Sequence, residues 1–209
     1  MAKKKPPIEV TPAGVAAYAW IDKPDTKFAA NGEDGKYKLT VLIPKDGASK
    51  MTATIGGETV NGEELIASLQ KEHEQSGGTA KNSPVKDGDK PLGNADKPKD
   101  DFKGHWLISL KSKFQPKLVD AKKNDIDPEG KLTVYSGDIV KAAYTRYDFD
   151  RGISLRLAAV QLIEKRSTGG AGAASAFGEE EGFEYEAGAD AFGGGDDKPA
   201  ATADANGDF

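Results

Sequence analysis

Only one stretch of this chain has the apolar spacing of a helix, and it lies between segments that alternate residue by residue. Leu65, Ile66 and Leu69 form a short stripe behind Asn61-Gly62-Glu63-Glu64, which reads as an N-cap with acids in the first turn. Gly77-Gly78 then stops the helix. Elsewhere the period is two. Val15, Ala17, Ala19 and Ile21 share one face of a predicted strand; Ala16, Tyr18, Trp20 and Asp22 share the other, before a turn at Lys23-Pro24-Asp25. Tyr37, Leu39, Val41 and Ile43 oppose Lys36, Lys38, Thr40 and Leu42, and Pro44 closes that strand. Over residues 105–114, Trp106, Ile108 and Leu110 oppose Leu107, Ser109, Lys111 and Lys113. A turn at Asp127-Pro128-Glu129-Gly130 leads to residues 131–135. Ser136-Gly137-Asp138 then opens a strand that runs to Phe149. Asp150-Arg151-Gly152 makes a hairpin, and the last strand, 153–163, turns Ile153, Leu155, Leu157 and Ala159 inward and Arg156 outward.

Five or six strands, one interposed helix and no βαβ rhythm imply an all-β fold. A small, strongly curved antiparallel barrel suits this order, and the OB-fold is the commonest such barrel with one helix. A sandwich is the alternative. Residues 77–103, rich in Lys, Asp, Pro, Gly and Asn, read as a long mobile loop, and loops of that length inside a domain usually serve function.

Charge divides the chain. From residue 167 to 209 there are ten acidic residues and one base, Lys198, a net −9; the whole chain is −5, so residues 1–166 carry +4. The Gly, Ala and Asp content of the second segment leaves too little apolar surface to offset chain entropy. The expected layout is therefore one domain, 1–166, and a disordered acidic tail, 167–209. Isolated rings punctuate that tail at Phe177, Phe183, Tyr185, Phe192 and Phe209. A basic body and an acidic, ring-bearing tail suggest a body that binds a polyanion and a tail that mimics one. Such a tail can enter the body's own groove. It can also present Asp208 and Phe209 to a partner with a basic, apolar pocket. Solubility is the plainer reading.

The strand faces left outside the core carry cations beside aromatics: Tyr18 and Trp20, Lys36 and Lys38, Lys111 and Lys113, then Tyr144, Arg146, Tyr147, Phe149, Arg151 and Arg156. Binders of single strands need this mixture, because cations follow phosphates and rings stack on bases at about 1–3 kcal/mol each. Tyr144 and Tyr147 have opposite parity, so a regular strand turns only one of them outward. Lys3, in Lys3-Lys4-Lys5, reads either as a phosphate-contacting arm or as a solvated terminus.

Signals for catalysis are weak. The chain has no cysteine, hence no thiolate nucleophile, disulfide or Cys-ligated zinc, which fits a reducing cytosol. His73 and His105 lack metal-ligand spacing and read as structural. Gly56-Gly57 and the glycines at 193–195 lack the context of a phosphate loop. No cofactor is expected. No apolar run approaches the ~18 residues of a membrane span, and no apolar stretch follows the basic start as in a secretory signal.

Five segments together carry a resemblance: the Met1-Ala2-Lys3-Lys4 start, Tyr18-Ala19-Trp20-Ile21-Asp22-Lys23-Pro24-Asp25, the strand from Tyr37-Lys38 to Ile43-Pro44, the Tyr147/Phe149 pair, and the Gly207-Asp208-Phe209 ending. In these the chain resembles the single-stranded-DNA-binding proteins of tailed phages of the gene 2.5 type. The resemblance implies an OB-fold that coats single-stranded DNA in phage replication and recombination, forms homodimers, and works in the cytoplasm of the infected host cell. It also implies a tail that competes with DNA and recruits replication proteins, including the phage DNA polymerase. By position, Lys3, Tyr147, Lys111 and Lys113 would contact DNA, and Phe209 would be the partner-binding aromatic. Two features depart from the family pattern: a tail richer in Gly and Ala, and the composition of residues 77–103. Two other classes remain: a DNA-mimicking module that sequesters a host nucleic-acid enzyme, and an Mg²⁺-dependent enzyme acting on nucleic acid.

Overall fold

A computed structural model of the protein describes residues 6–27, 34–126 and 132–166. They all fall in the compact unit Met1–Gly172; a second unit, Ala173–Phe209, lies wholly outside the described residues. The elements are β1 (Glu9–Val10), β2 (Gly14–Asp25), β3 (Lys36–Pro44), β4 (Thr52–Ile55), β5 (Glu58–Asn61), α1 (Gly62–Gln75), β6 (Val85–Asp87), β7 (His105–Ser112), β8 (Lys117–Val119), β9 (Ile139–Phe149) and β10 (Gly152–Glu164). The chain is thus mostly β with one α-helix, as the alternating pattern predicts.

Pairing makes a ring. β2 pairs β3, β3 pairs β7, β7 pairs β10, β10 pairs β9, and β9 returns to β2. β1, β4 and β5 extend from β9 on one side, and the three-residue β8 ends the order beside β10. The expectation of a purely antiparallel sheet fails at two places, because β10 runs parallel to both β7 and β8. A long connection separates β7 from β10, so the last strand enters the sheet from the same end as β7.

The core fills the ring. Leu39, Val41, Ile43, Ile108, Leu110, Val140, Tyr144, Leu155 and Leu157 are buried there, and α1 adds Leu65, Ile66 and Leu69. Asn61 caps α1 as the sequence predicts: its side chain accepts from the Glu64 backbone N–H at 2.9 Å, and the Glu64 carboxylate accepts from the Asn61 N–H at 3.1 Å. Gly77, at φ +74°, follows the helix end.

Two irregularities reset the alternation read from sequence. In β2 the register with β3 shifts between Ala17 and Trp20, and Tyr18 sits at φ +49°. Ala16 and Ala17, just before the shift, are both buried, Ala16 in the main core and Ala17 under Phe102, while Tyr18 and Trp20 are exposed. In β10 a shift between Leu157 and Ala159 turns Val160 and Leu162 inward in place of Ala159. The predicted Lys23-Pro24-Asp25 turn is instead the end of β2, where Asp25 pairs Lys36. Residues 132–135 form no strand, though Val134 is buried, and the predicted turn at 127–130 lies outside the described residues.

Residues 77–103 carry β6, which pairs β7, and a short 3-10 turn that buries Phe102 against Ala17, Leu42 and Leu107. His73 locks the start of this strap. It is buried; its Nδ1 accepts from the Ile153 N–H at 3.1 Å, so its Nε2 carries the proton toward the Thr79 carbonyl at 3.0 Å and the Asn82 side-chain oxygen at 3.1 Å. Gly152, at φ +115° in the hairpin, leaves room for that ring; a Cβ there would stand 2.3 Å from it. His73 is structural, as its spacing suggests.

Candidate nucleic-acid interface

The ring's outer face aligns one ring and three cations across four adjacent strands. Trp20 of β2 pairs Lys38 of β3, Lys38 pairs Lys111 of β7, and Lys111 pairs Arg156 of β10. Like charges at directly paired positions destabilise a sheet, so this row lowers the stability of the fold unless an anion lies over it. One carboxylate intervenes: Asp25 holds the Lys38 ammonium at 2.7 Å, and that contact keeps the Asp25 carboxyl below its ordinary pKa. Partial burial lowers the pKa of Lys111, and the charges on Lys36 and Lys38 push it further down. Lys36, Lys111 and Lys113 form no ion pair with any described residue.

Two depressions join along this row. A groove of about 360 Å³ is lined by Tyr18, Trp20, Lys38, Lys111 and Phe149, among others. A shallower one of about 220 Å³ takes Lys36, Lys113, Tyr147 and Arg156 and shares Lys111 and Ser154 with the first. Trp20 is 45% exposed and Phe149 43%, and neither has a ring or cation partner among the described residues. Both offer open π-faces. Tyr18, 46% exposed, stands edge-on to Phe102 with centroids 5.8 Å apart, and its hydroxyl accepts from Lys99. The left-handed backbone at Tyr18 is uncommon for a bulky residue and accompanies the register shift there; this ring and Trp20 line the same groove. Arg156 donates to the Tyr147 hydroxyl at 3.0 Å, which lowers the pKa of that phenol, and its guanidinium lies 5.3 Å from the Tyr147 and Phe114 ring centroids.

The structure therefore gathers Tyr18, Trp20, Lys36, Lys38, Lys111, Lys113, Tyr147, Phe149 and Arg156 on one face. Lys3, Asp208 and Phe209 lie outside the described residues. Arg146 is a correction. Its side chain, 12% exposed, points away from this face, where it pairs with Glu9 at 2.8 Å and with Glu72 and donates to Ser68 at 3.0 Å. Strand parity groups it with buried Tyr144, whose hydroxyl donates to the same Glu9 at 2.9 Å. Burial, above all, raises the pKa of Tyr144. Sequence reading missed Lys81, Lys86, Lys99 and Phe114. The first three sit in a segment without periodicity, and Phe114 follows the end of β7. Among the described residues no cluster of His, Asp and Glu could hold a metal, and no helix is long and apolar enough to cross a membrane.

Several solved structures share the fold. The single-stranded DNA-binding protein of bacteriophage Enc34, C-terminally truncated, matches with a TM-score of 0.57 at 20% identity, covering 79% of this chain and 94% of that one. The Enc34 protein in complex with ssDNA matches with a TM-score of 0.56 at 18% identity, covering 77% and 88%. The bacteriophage T7 single-stranded DNA-binding protein gp2.5 matches with a TM-score of 0.54 at 19% identity, covering 80% and 95%. No curated protein sequence matches this chain significantly. A family model described as the ssDNA-binding protein of Enterobacter phage Enc34 matches residues 15–192, nearly the whole of the basic body and more than half of the acidic segment. The chain belongs to that phage family of ssDNA-binding proteins, a family of binders rather than of enzymes.

Proposed function

We propose that the protein coats single-stranded DNA, without reading its sequence, during phage replication and recombination in the cytoplasm of the infected host cell. The strand lies along the row Trp20, Lys38, Lys111 and Arg156. Its phosphates meet the cations, and its bases stack on Trp20 and Phe149. The observation that carries this reading is the row of cross-strand cations, with a single carboxylate, Asp25, beside it, next to two open rings. Family membership and the fold shared with the Enc34 complex support it. We read the five-strand ring as an OB-fold barrel, whose open face suits single strands.

Residues 167–209, at net −9, compete with DNA for the same cations, and Asp208 and Phe209 dock on phage replication proteins, the DNA polymerase among them. The protein acts as a homodimer. Titration of the full chain and of a chain ending at Arg166 with oligo-dT and a matched duplex, at two salt concentrations, tests these points together. The full chain should quench Trp20 fluorescence with oligo-dT. Its log affinity should fall with log salt by about 0.7 per neutralised phosphate. The shorter chain should bind more tightly at low salt, with the gap closing at high salt as screening weakens the competition. Equal affinities would remove tail competition. A shortened chain that ignores DNA would favour the sequestering module.

A further inference from the structure

The strap between α1 and β7 holds six lysines and five aspartates, a near balance that the fold undoes. Asp87 and Asp89 both accept from Lys45; Asp89 also accepts from the Gly104 N–H at 2.7 Å, and Asp100 pairs with Lys103 at 2.6 Å. Lys81 and Lys86 have no carboxylate partner among the described residues, and both line the groove that holds Trp20, Lys111 and Phe149.

The backbone that carries them is held in place. The Asn82 side-chain oxygen accepts from the Thr79 N–H at 2.8 Å, and its amide donates to the Arg151 carbonyl at 2.6 Å, tying the strap to the β9–β10 hairpin. The Ser109 N–H donates to the Pro84 carbonyl at 2.8 Å, and Lys86 pairs with Leu107 in the β6–β7 ladder. Lys81, Ser83 and Lys86 also border a neighbouring groove of about 640 Å³ that contains Lys90 and Trp106. The two grooves thus meet at these lysines.

We infer that the strap is a second, preorganised wall of the single-strand site, with Lys81 and Lys86 contacting phosphates and leading the strand from the Trp20 groove toward the Trp106 groove. This rests on the ssDNA-binding reading above. Preorganisation matters because a cation on an ordered wall loses less freedom on binding than one on a loose loop.

The test uses the full chain and oligo-dT across a salt series. The double variant K81Q/K86Q should show a salt slope shallower by about 1.4, at about 0.7 per lost contact. If the curves meet near 1 M, binding at 0.1 M is about 25-fold weaker, by that same slope. K97Q, on the same strap but lining neither groove, should keep the wild-type slope. A K81E/K86E chain should bind more weakly still, and all three should unfold at the wild-type temperature. A wild-type slope in K81Q/K86Q, with wild-type protein binding normally, overturns the second wall alone. Wild-type protein that does not bind oligo-dT overturns the ssDNA-binding reading and the wall with it.

Discussion

β9 presents the same chemistry on its two sides and uses it in opposite ways. On one side Tyr144 and Arg146 meet Glu9 of β1 and Glu72 of α1, so the phenol and the guanidinium have carboxylate partners and are shielded from water. On the other, Tyr147 and its cross-strand neighbour Arg156 meet each other and Phe114, with no carboxylate in the arrangement. Residue type does not separate a structural arginine from a ligand-binding one here. The placement of acids does: Glu9 is 4% exposed and commits Arg146 to holding β1, β9 and α1 together.

That contrast can be broken from either side. The largest effect is expected at Arg146→Ala, which leaves the buried Glu9 carboxylate without its charged partner and should cost about 3–5 kcal/mol of stability by chemical denaturation. The salt slope for DNA binding should not change where the variant is folded. Trp20→Ala should do the reverse. It should weaken oligo-dT binding by about 1–3 kcal/mol with little change in unfolding midpoint; Phe149→Ala should behave alike. Unchanged affinity in both would show that bases stack elsewhere. A smaller gain is expected from Asp25→Asn, which removes a negative charge from beside the Lys38 ammonium; affinity should tighten at low salt and return to wild type at high salt.

The smallest effect is one of pH. The Lys111 ammonium has a lowered pKa in the folded protein, and a bound phosphate would raise it. Binding therefore takes up protons in the window just below the ordinary lysine value of about 10.4, and affinity should decline as pH rises through it. The sign for stability is opposite, because the unfolded chain binds more protons in that window and the DNA-free protein gains stability as pH rises. Lys111→Arg stays charged and should flatten both dependences in calorimetric and fluorescence titrations.

Much of this was legible in the sequence. Alternation located β2, β3, β7 and β10, because burial on one face imposes that period directly; turn residues bounded β9, and the Asn61 N-cap with its acidic first turn and apolar stripe located α1. The outward placement of Trp20, Lys38, Lys111 and Arg156 followed from the same parity, whereas parity left open which of Tyr144 and Tyr147 faces out. Parity failed where the backbone left regularity. The shifts beside Tyr18 and Ala159 depend on register with neighbouring strands, which no local pattern encodes. Arg146 was misplaced because its partner Glu9 lies in a two-residue strand too short to show any period. β6, β8 and the wall lysines were illegible for a similar reason: three residues of strand carry almost no alternation, and their order comes from β7 and β10.

The ring has a further consequence for molecules that crowd together. Each strand of the circuit has a neighbour on both sides, and among the described residues the sheet order ends in β5, of four residues, and β8, of three, with the three-residue β6 at its flank. If copies coat one polynucleotide as proposed, they meet at high local concentration, the condition under which exposed sheet margins join and precipitate. Margins this short offer few hydrogen bonds to a neighbour, so copies crowded along such a strand would have little sheet edge through which to join.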